Sequence, residues 1–376
     1  MLPGERVVSV FEGRKPDKMP WMADLTYWYS AQEYLSTLPE KYRGWKGRLR
    51  LYKDLGCAAH EDLYCSVHKV RYKNVRITTR RENLPDGSML VHIKYSTPVG
   101  KLHMIRKFSP TSVTWFTIKY PVEKVDDLKI LKFIYEDQEV EPNEDAYIHQ
   151  LKLMEMWEGW GIVSSLPPRS PFARMLIELA GPITTFKLYW KSREELDELI
   201  DVMANSDDPI YEAINEAPAK FVYFGENISS DIVSPTIFKR YYLPYYKKRC
   251  KQLHAKGKYI YVHIDGRLRG VLPLLKESGV DCAQSLTPAP VGDLPIEEFR
   301  KVAGSDIILA GGLPGIYFSK RYSENLLYDM VRKVLECYLS DNKFIMCVAD
   351  QVPPDGDIKR VKKVSELIEQ YYLGTL

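Results

Sequence analysis

His263 and Asp265 stand one residue apart at the end of an apolar run, residues 259–264, and Gly266 follows them. A run of β-branched and aromatic residues is typical of a buried strand, whose side chains alternate between two faces. The imidazole and the carboxylate therefore project from the same side of the strand end, where glycine lets the backbone turn away. Such a pair can move protons, bind a metal ion or hold a polar substrate.

Eight apolar runs of this kind recur along the chain, each followed by a turn signal and most by an amphipathic helical pattern. Repeated alternation of strand and helix predicts an α/β fold, in which parallel strands close into a (β/α)₈ TIM barrel. The predicted strands cover residues 19–25, 56–63, 161–166, 221–227, 259–264, 281–286, 306–311 and 343–348.

Residues 67–122 break this rhythm, because polar and apolar positions alternate and turn signals separate the alternating segments. The two clearest turn signals are Pro85-Asp86-Gly87 and Thr97-Pro98-Val99-Gly100. This pattern predicts an antiparallel β-hairpin insertion after the second barrel strand. No internal repeat or low-complexity linker divides the chain, so we expect a single domain over residues 1–376 that carries the insertion.

Net charge, apolar run length and cysteine spacing argue against several classes of protein. The 53 Lys and Arg against 50 Asp and Glu give a net charge of +3, which argues against a nucleic-acid partner. No stretch approaches the roughly 20 apolar residues of a membrane span, and the N-terminus lacks the apolar core of a secretion signal. We therefore expect a cytoplasmic protein without a membrane partner. The six cysteines form no CxxC pair, and we expect most of them to be buried small hydrophobic residues.

Catalytic groups of a (β/α)₈ barrel come from the C-terminal ends of the strands and from the loops that follow them. The polar residues at those positions are Asp24, Glu226 with Asn227, His263 with Asp265, Gln284 and Asp350. Glu226 ends an apolar run that should lie deep in the barrel, where a carboxylate must be paired, protonated or metal-bound. A salt bridge or a backbone amide would account for it as well as a role in the site.

Two kinds of site fit these residue types. One nitrogen and several oxygen ligands can hold Zn²⁺ or another divalent ion with an open position, and the candidate metal ligands are Glu226, His263, Asp265 and Asp350. Without a metal, the same residues can bind a polar substrate, with His263, Asp265 and Asp24 as the catalytic groups. The candidate substrate-binding residues are Tyr27, Tyr223, Asn227 and Gln284.

A set of short motifs, clearest over residues 219–355, carries a resemblance to a known superfamily. They include Ile232-Val233-Ser234-Pro235, Leu243-Pro244-Tyr245, His263-Ile264-Asp265-Gly266, Gly279-Val280-Asp281, Gly311-Gly312 and Pro353-Pro354. With them the chain resembles the uroporphyrinogen decarboxylase superfamily, which also contains corrinoid-dependent methyltransferases. The resemblance implies a (β/α)₈ barrel, in agreement with the strand pattern.

The resemblance is closer to the methyltransferase branch than to the true decarboxylases. The decarboxylases bind the propionates of a porphyrinogen with an arginine-rich loop after the first strand, and residues 21–29 of this chain contain no arginine. The methyltransferases hold zinc with a His-x-Cys pair and a later Cys. By position His263 matches the histidine, whereas Asp265 and Asp350 stand where the two thiolates are expected, and Cys347 lies close to the second.

Carboxylate ligands suit a metal that polarises an ether or hydroxyl oxygen better than one that activates a thiol. Some corrinoid-linked demethylases of the superfamily resemble this pattern, with Glu226 as the additional ligand. The resemblance thus implies a corrinoid-dependent methyltransferase that moves a methyl group between a small, O-methylated substrate and a corrinoid protein. The implied cofactors are a corrinoid, such as methylcobalamin, carried by that partner, and a divalent metal such as zinc.

Two alternatives stay open. A decarboxylase or lyase with Asp24 or His263 as general acid would act on a small carboxylated substrate and needs neither metal nor protein partner. A non-enzymatic tetrapyrrole- or corrinoid-binding protein would use the same residues only for ligand contacts. The sequence leaves monomer and homodimer equally open.

Overall fold

The computed structural model describes residues 1–60 and 63–375 of the chain. Its strands are β1 (Trp21–Met22), β2 (Tyr64–Cys65), β3 (His68–Tyr72), β4 (Arg76–Asn83), β5 (Met89–Thr97), β6 (Gly100–Ser109), β7 (Thr114–Lys119), β8 (Gln138–Pro142), β9 (Ser164–Ser165), β10 (Phe221–Ile228), β11 (Tyr259–Ile264), β12 (Cys282–Leu286), β13 (Ile308–Pro314) and β14 (Phe344–Ala349).

Its α-helices are α1 (Pro3–Phe11), α2 (Thr26–Tyr34), α3 (Gly44–Leu55), α4 (Asp126–Glu136), α5 (Glu144–Met156), α6 (Pro171–Arg174), α7 (Gly181–Lys191), α8 (Arg193–Ser206), α9 (Asp208–Glu216), α10 (Pro235–Ile237), α11 (Leu243–His254), α12 (Leu272–Leu275), α13 (Phe299–Ala303), α14 (Glu324–Tyr338) and α15 (Ile358–Tyr372). A π-helical turn, Phe238–Tyr242, joins α10 to α11. The chain divides into two compact units, the first of which comprises Met1–Ser66, Asp145–Leu166 and Ala217–Leu376.

The first unit contains an eight-stranded parallel sheet in the order β1-β14-β13-β12-β11-β10-β9-β2. An isolated parallel bridge between Met22 and Ala58 links β1 to the segment that leads into β2. A second bridge joins Ala59 to Gly161, just before β9, so the sheet closes on itself. The predicted (β/α)₈ barrel is therefore confirmed.

The long strands follow directly from their composition. The β12, β13 and β14 side chains are buried at every position, as expected of parallel strands that are covered on both faces. The helices of this unit present apolar faces to the sheet. In α15, for example, Val361, Val364, Leu367 and Ile368 are buried at helical spacing, and Asp357 caps the first turn through the backbone N–H of Lys359.

Side chains from around the barrel meet in one interior cluster. Its members are Met22, Ala58, Ile162, Phe221, Tyr223, Tyr261, Cys282, Ile308, Ala310, Ile345 and Cys347, together with Val7, Val10 and Phe11 of α1. The Phe11 ring packs edge-on against Phe221, the first residue of β10, with 5.0 Å between ring centroids. Helix α1 thus covers the N-terminal end of the barrel, and the opposite end is the one at which the strands open into loops.

The second unit comprises Val67–Glu144 and Pro167–Glu216. Strands β4–β7 form an antiparallel sheet in sequence order, and β3 pairs with β8. Residues 85–87 turn between β4 and β5, and residues 98–99 turn between β5 and β6, as the turn signals predicted. The antiparallel insertion after the second barrel strand is confirmed. The unit also includes residues beyond 67–122, and the single domain over residues 1–376 stays a prediction.

Two simpler expectations concern helices and cysteines. Among the described residues, no helix is both long and apolar enough to cross a membrane. The six cysteines are free thiols, and Cys57, Cys250, Cys282 and Cys347 are buried. Most of the cysteines therefore behave as small core residues, as expected.

Candidate functional site at the C-terminal ends of the barrel strands

His263 lies near the end of β11 and is 3% exposed. Its Nδ1 is 2.7 Å from Oε1 of Gln284, the residue beside it in the register of β11 and β12. An amide oxygen can only accept, so Nδ1 carries the proton and donates it, and Nε2 keeps a lone pair. Nε2 lies 3.8 Å from Oδ1 of Asp350. The predicted residues His263, Gln284 and Asp350 therefore meet at one place.

Three strand ends near this group have unusual backbone conformations. Asp350, directly after β14, has a φ of 68°, and its N–H donates to Oγ of Ser285 in β12, which has a φ of 73°. Asn227, the second-last residue of β10, has a φ of 52°. L-residues rarely occupy this left-handed region, and such backbone strain is concentrated at functional sites. The strain here marks the C-terminal ends of three barrel strands.

Asp350 has an altered acidity. The Asp350 side chain keeps 56% of its surface exposed but lies among other groups at the barrel mouth. The partial loss of hydration there raises the pKa of Asp350 to about 6. The positive charge available on His263 opposes this increase, whereas the charges of Asp265 and Asp24 add to it. Burial, followed by the charge of Asp350, raises the pKa of Tyr27. These effects place Asp24, Tyr27 and Asp265 within electrostatic reach of Asp350 at the mouth.

Asp24 follows β1 and is fully buried. Its Oδ1 accepts hydrogen bonds from the backbone N and from Oγ1 of Thr26, at 2.7 and 2.5 Å. Its Oδ2 has no hydrogen-bond partner among the residues that the structure describes. Gln351, just past Asp350, donates from Nε2 to Oγ1 of Thr26 at 2.8 Å. These bonds tie the loop after β1 to the loop after β14.

His60 is a site residue that the strand-end pattern misses. It follows the bridge residue Ala59, is fully buried, and its Nε2 lies 4.0 Å from Sγ of Cys347. Burial lowers the pKa of His60 to about 4, with the charge of His263 adding to the decrease and that of Asp24 opposing it. The predicted strand over residues 56–63 put His60 inside a strand, whereas β2 lies at Tyr64–Cys65. Glu61 and Asp62, also within that predicted strand, lie outside the described residues.

The remaining candidate substrate-binding residues have distinct surroundings. The Tyr223 ring lies edge-on to the His263 imidazole, with 6.2 Å between centroids and 86° between planes. Tyr223 also stacks on Tyr261 at 4.9 Å. Asn227 is exposed near the end of β10. Tyr223 therefore forms a wall beside His263, while Gln284 acts on His263 itself and is a positioning residue.

Glu226 is only 2% exposed, as expected, but its surroundings differ from the expectation of a site in the barrel interior. Phe224, two residues earlier on β10, packs with its ring 5.5 Å from Tyr246 of α11. Burial, with the charge of Glu226 in addition, raises the pKa of Tyr242 well above its usual range. Tyr242 belongs to the π-helical turn that leads into α11, so the charge of Glu226 acts on the helical layer beside β10.

The predicted metal ligands do not form a metal-holding group in this structure. Asp265 follows β11, is half-buried, and its N–H donates to the Ile228 carbonyl at 2.7 Å. Within residues 1–60 and 63–375, no group of three or more His, Cys, Asp or Glu side chains could hold a metal ion. The two closest candidates, His263 and Asp350, supply one nitrogen and one oxygen. The metal and its four ligands therefore stay a prediction.

A surface cavity of about 500 Å³ lies elsewhere, beside the N-terminal ends of β1 and β14. Its lining includes Met19, Pro20, Asn342 and Phe344. Catalytic groups of (β/α)₈ barrels lie at the other end of the strands, so we assign no chemistry to this cavity.

The fold and the site define an α/β-barrel protein with a buried histidine and several carboxylates at the C-terminal ends of its strands. The model of the uroporphyrinogen decarboxylase (URO-D) family matches residues 170–371, which is more than half of the chain. The chain therefore belongs to the uroporphyrinogen decarboxylase family, and the resemblance predicted from the sequence is confirmed. Membership of this family supports an enzymatic role.

A solved structure of a methyltransferase from Methanosarcina mazei is similar over 99% of both chains, with a TM-score of 0.62 and 13% sequence identity. At this identity the likeness concerns the fold. No curated protein matches the chain.

Proposed function

We propose that this protein is a cytoplasmic methyltransferase that moves a methyl group between a small O-methylated substrate and a corrinoid protein. The observation that carries the proposal is the fixed orientation of His263. Gln284 holds Nδ1 at 2.7 Å, so that Nε2 points to the mouth, 3.8 Å from Asp350. Family membership and the fold shared with a methyltransferase support the same class of reaction.

A reduced corrinoid on the partner protein would supply the electron pair that takes the methyl carbon. The carbon–oxygen bond of the substrate breaks, its electron pair stays on oxygen, and that oxygen needs a proton. We assign this proton to Nε2 of His263, which takes it from water beforehand. The ionised Asp350 stabilises the resulting imidazolium, and proton delivery of this kind accelerates reactions by about 10² to 10⁴-fold.

The alternative of decarboxylation is less compatible with the charges at the mouth. The charges of Asp24 and Asp265 act on Asp350 there, and these three carboxylates would repel a carboxylated substrate. Neither lysine nor arginine is among the described groups whose charge acts on Asp350. A substrate with several carboxylates needs such cations for binding.

The proposal is tested with free cobalamin in place of the corrinoid protein. Purified protein is incubated with cob(I)alamin and 2-methoxyphenol, and the formation of methylcobalamin is followed by its absorption spectrum. We expect the wild-type protein to methylate the cobalamin and His263→Gln to be slower by about a hundredfold or more. His254→Gln is the matched control, because His254 is an exposed residue of α11 that pairs with Asp281.

Equal rates for wild type and His263→Gln would contradict the assigned role of His263. Release of carbon dioxide from a carboxylated probe, without methyl transfer from any methoxylated one, would favour the decarboxylase. The predicted metal is measured on the same preparations by elemental analysis. Bound zinc that is lost in His263→Gln would support the predicted ligand set, and protein that is active without metal would overturn it.

A further inference from the structure

Two buried polar atoms at the barrel mouth have no hydrogen-bond partner among the residues that the structure describes. They are Oδ2 of Asp24 and Nδ1 of His60, and both side chains are completely buried. A polar atom that loses water without gaining a partner costs about 1 to 3 kcal/mol, more when it is charged. Asp24 and His60 each stand two residues after Met22 and Ala58, which pair in a parallel bridge, so the two side chains are neighbours on one face of adjacent segments. Two such neighbouring atoms point to a ligand group that completes them.

Both atoms accept hydrogen bonds. Oδ2 belongs to a carboxylate whose other oxygen already accepts two hydrogen bonds from Thr26. On His60, Nε2 faces Sγ of Cys347 at 4.0 Å, and that thiol donates its own proton to the Val348 carbonyl at 3.1 Å. The sulfur is therefore the acceptor for Nε2–H, which leaves Nδ1 of the neutral imidazole with a lone pair.

The charge around these acceptors is negative. Three carboxylates, those of Asp24, Asp265 and Asp350, outnumber the one imidazole, that of His263, whose positive charge acts on both His60 and Asp350. Burial keeps His60 neutral, because the pKa of His60 falls to about 4. The Tyr27 phenol adds an aromatic ring close to Asp350. Carboxylates combined with aromatic faces favour a cation. A ligand group that donates several hydrogen bonds and carries a positive charge satisfies all of these features.

We propose that Asp24 and His60 form a subsite that binds a protonated amine of the substrate. The substrate class would then be a small methoxylated amine, with its ammonium N–H groups donating to Asp24 Oδ2 and His60 Nδ1. The methoxy group in this description rests on the proposed function, whereas the ammonium subsite rests on the two acceptors and on the surrounding charge.

The subsite is tested by binding, which does not depend on catalysis. Isothermal titration calorimetry compares three probes of nearly equal size: 2-methoxyethylamine, 2-methoxyethanol and methoxyacetate. We expect the protonated amine to bind about tenfold more tightly than the alcohol, since hydrogen bonds to charged groups are the stronger ones, and methoxyacetate to bind most weakly.

Asp24→Asn is the informative variant, because its side-chain oxygen can still accept the hydrogen bonds from Thr26. We expect it to bind the amine no more tightly than the alcohol and to leave the affinity for the alcohol almost unchanged. His60→Gln, a second variant, should also lower the affinity for the amine. Asp329→Asn, on the exposed face of α14, is the matched control for the loss of one carboxylate.

Three results would overturn the subsite: no detectable binding of the amine, equal binding of methoxyacetate and the amine, or an unchanged preference in Asp24→Asn. Failure of the proposed function has a different signature. In that case the amine would bind with the expected preference, but cob(I)alamin would not be methylated by the amine or by any other methoxylated probe.

Discussion

The long strands β10–β14 and the short strands β1, β2 and β9 build the same barrel in different ways. Each of the long strands has between 5 and 8 residues and the short ones have 2 each. His263 and Gln284, on long strands, are joined by a side-chain hydrogen bond. Asp24 and His60, beside the short strands, each keep one atom without a partner among the described residues. The long strands thus fix a reactive group, while the segments beside the short strands hold the two atoms that we assign to a ligand.

The largest effect on the long-strand side is expected from Asp350→Asn. The variant should lower kcat/KM for methyl transfer by about a hundredfold at neutral pH, because the imidazolium of His263 loses its carboxylate. In the wild type, kcat/KM should rise as the pH rises through about 6, the raised pKa of Asp350. Rate measurements across this range should show that the variant lacks this dependence. Asparagine tolerates the left-handed backbone at this position, so the loop should keep its course.

Folding stability provides the control for Asp350→Asn. Because the pKa of Asp350 is raised above the usual 3.8 to about 6, its ionisation disfavours the folded state as the pH rises through this interval. The variant should therefore have an equal or slightly higher Tm at neutral pH than the wild type. A kcat/KM that instead decreases as the pH rises through 6, with this decrease absent from Asp350→Asn, would show that protonated Asp350 is the proton donor.

The next effect concerns the stability of the N-terminal ends of the long strands and not the methyl-transfer rate. Arg300 donates hydrogen bonds to Asp341 at 2.8 Å, to the Ile307 carbonyl before β13 at 2.7 Å and to the Lys343 carbonyl before β14 at 3.1 Å. Arg300→Met should lower the free energy of unfolding by about 2 to 3 kcal/mol, since these acceptors lose a charged donor. Urea unfolding measures this change. A matching loss of methyl-transfer rate at low temperature, with the protein folded, would contradict a purely structural role.

The same division of strands decides how much of the fold follows from the sequence. The predicted strands 221–227, 259–264 and 343–348 nearly coincide with β10, β11 and β14, because a long buried strand is a continuous apolar run. The predicted strands 19–25, 56–63 and 161–166 are much longer than β1, β2 and β9. There the barrel is joined by single bridges, which depend on neighbouring strands and leave no periodic pattern in the sequence.

The candidate site follows the same rule. The histidine and carboxylate at the ends of β11 and β14 could be predicted, since a polar residue after an apolar run marks a strand end. His60 could not, because the strand predicted there extended past it. The surroundings of Glu226 could not be predicted either, since they depend on a π-helical turn, Phe238–Tyr242, that brings Tyr242 towards β10.

Gln284 offers a finer test of the long-strand side. Gln284→Met removes the acceptor for Nδ1–H of His263, and the imidazole can then rotate or change its tautomer. We expect kcat/KM for methyl transfer to fall by about tenfold to thirtyfold, less than for loss of the imidazole itself. Gln284→Glu keeps an oxygen at the same place and should restore most of the rate. If Gln284→Met and Gln284→Glu are equally slow, the side chain acts through packing and not as an acceptor.

The smallest effect is expected on the short-strand side, from Thr26→Val. Thr26 donates from Oγ1 to Oδ1 of Asp24 at 2.5 Å and accepts from Nε2 of Gln351 at 2.8 Å. Valine removes both bonds but keeps the shape and the backbone N–H bond to Asp24, so the carboxylate is held less firmly. We expect the affinity for 2-methoxyethylamine to decrease about threefold to tenfold, as measured by calorimetry, with little change in the pH dependence of kcat/KM. A larger loss than that of Asp24→Asn would mean that the joined loops, and not the carboxylate, form the subsite, and the distinction between the two groups of strands would then fail.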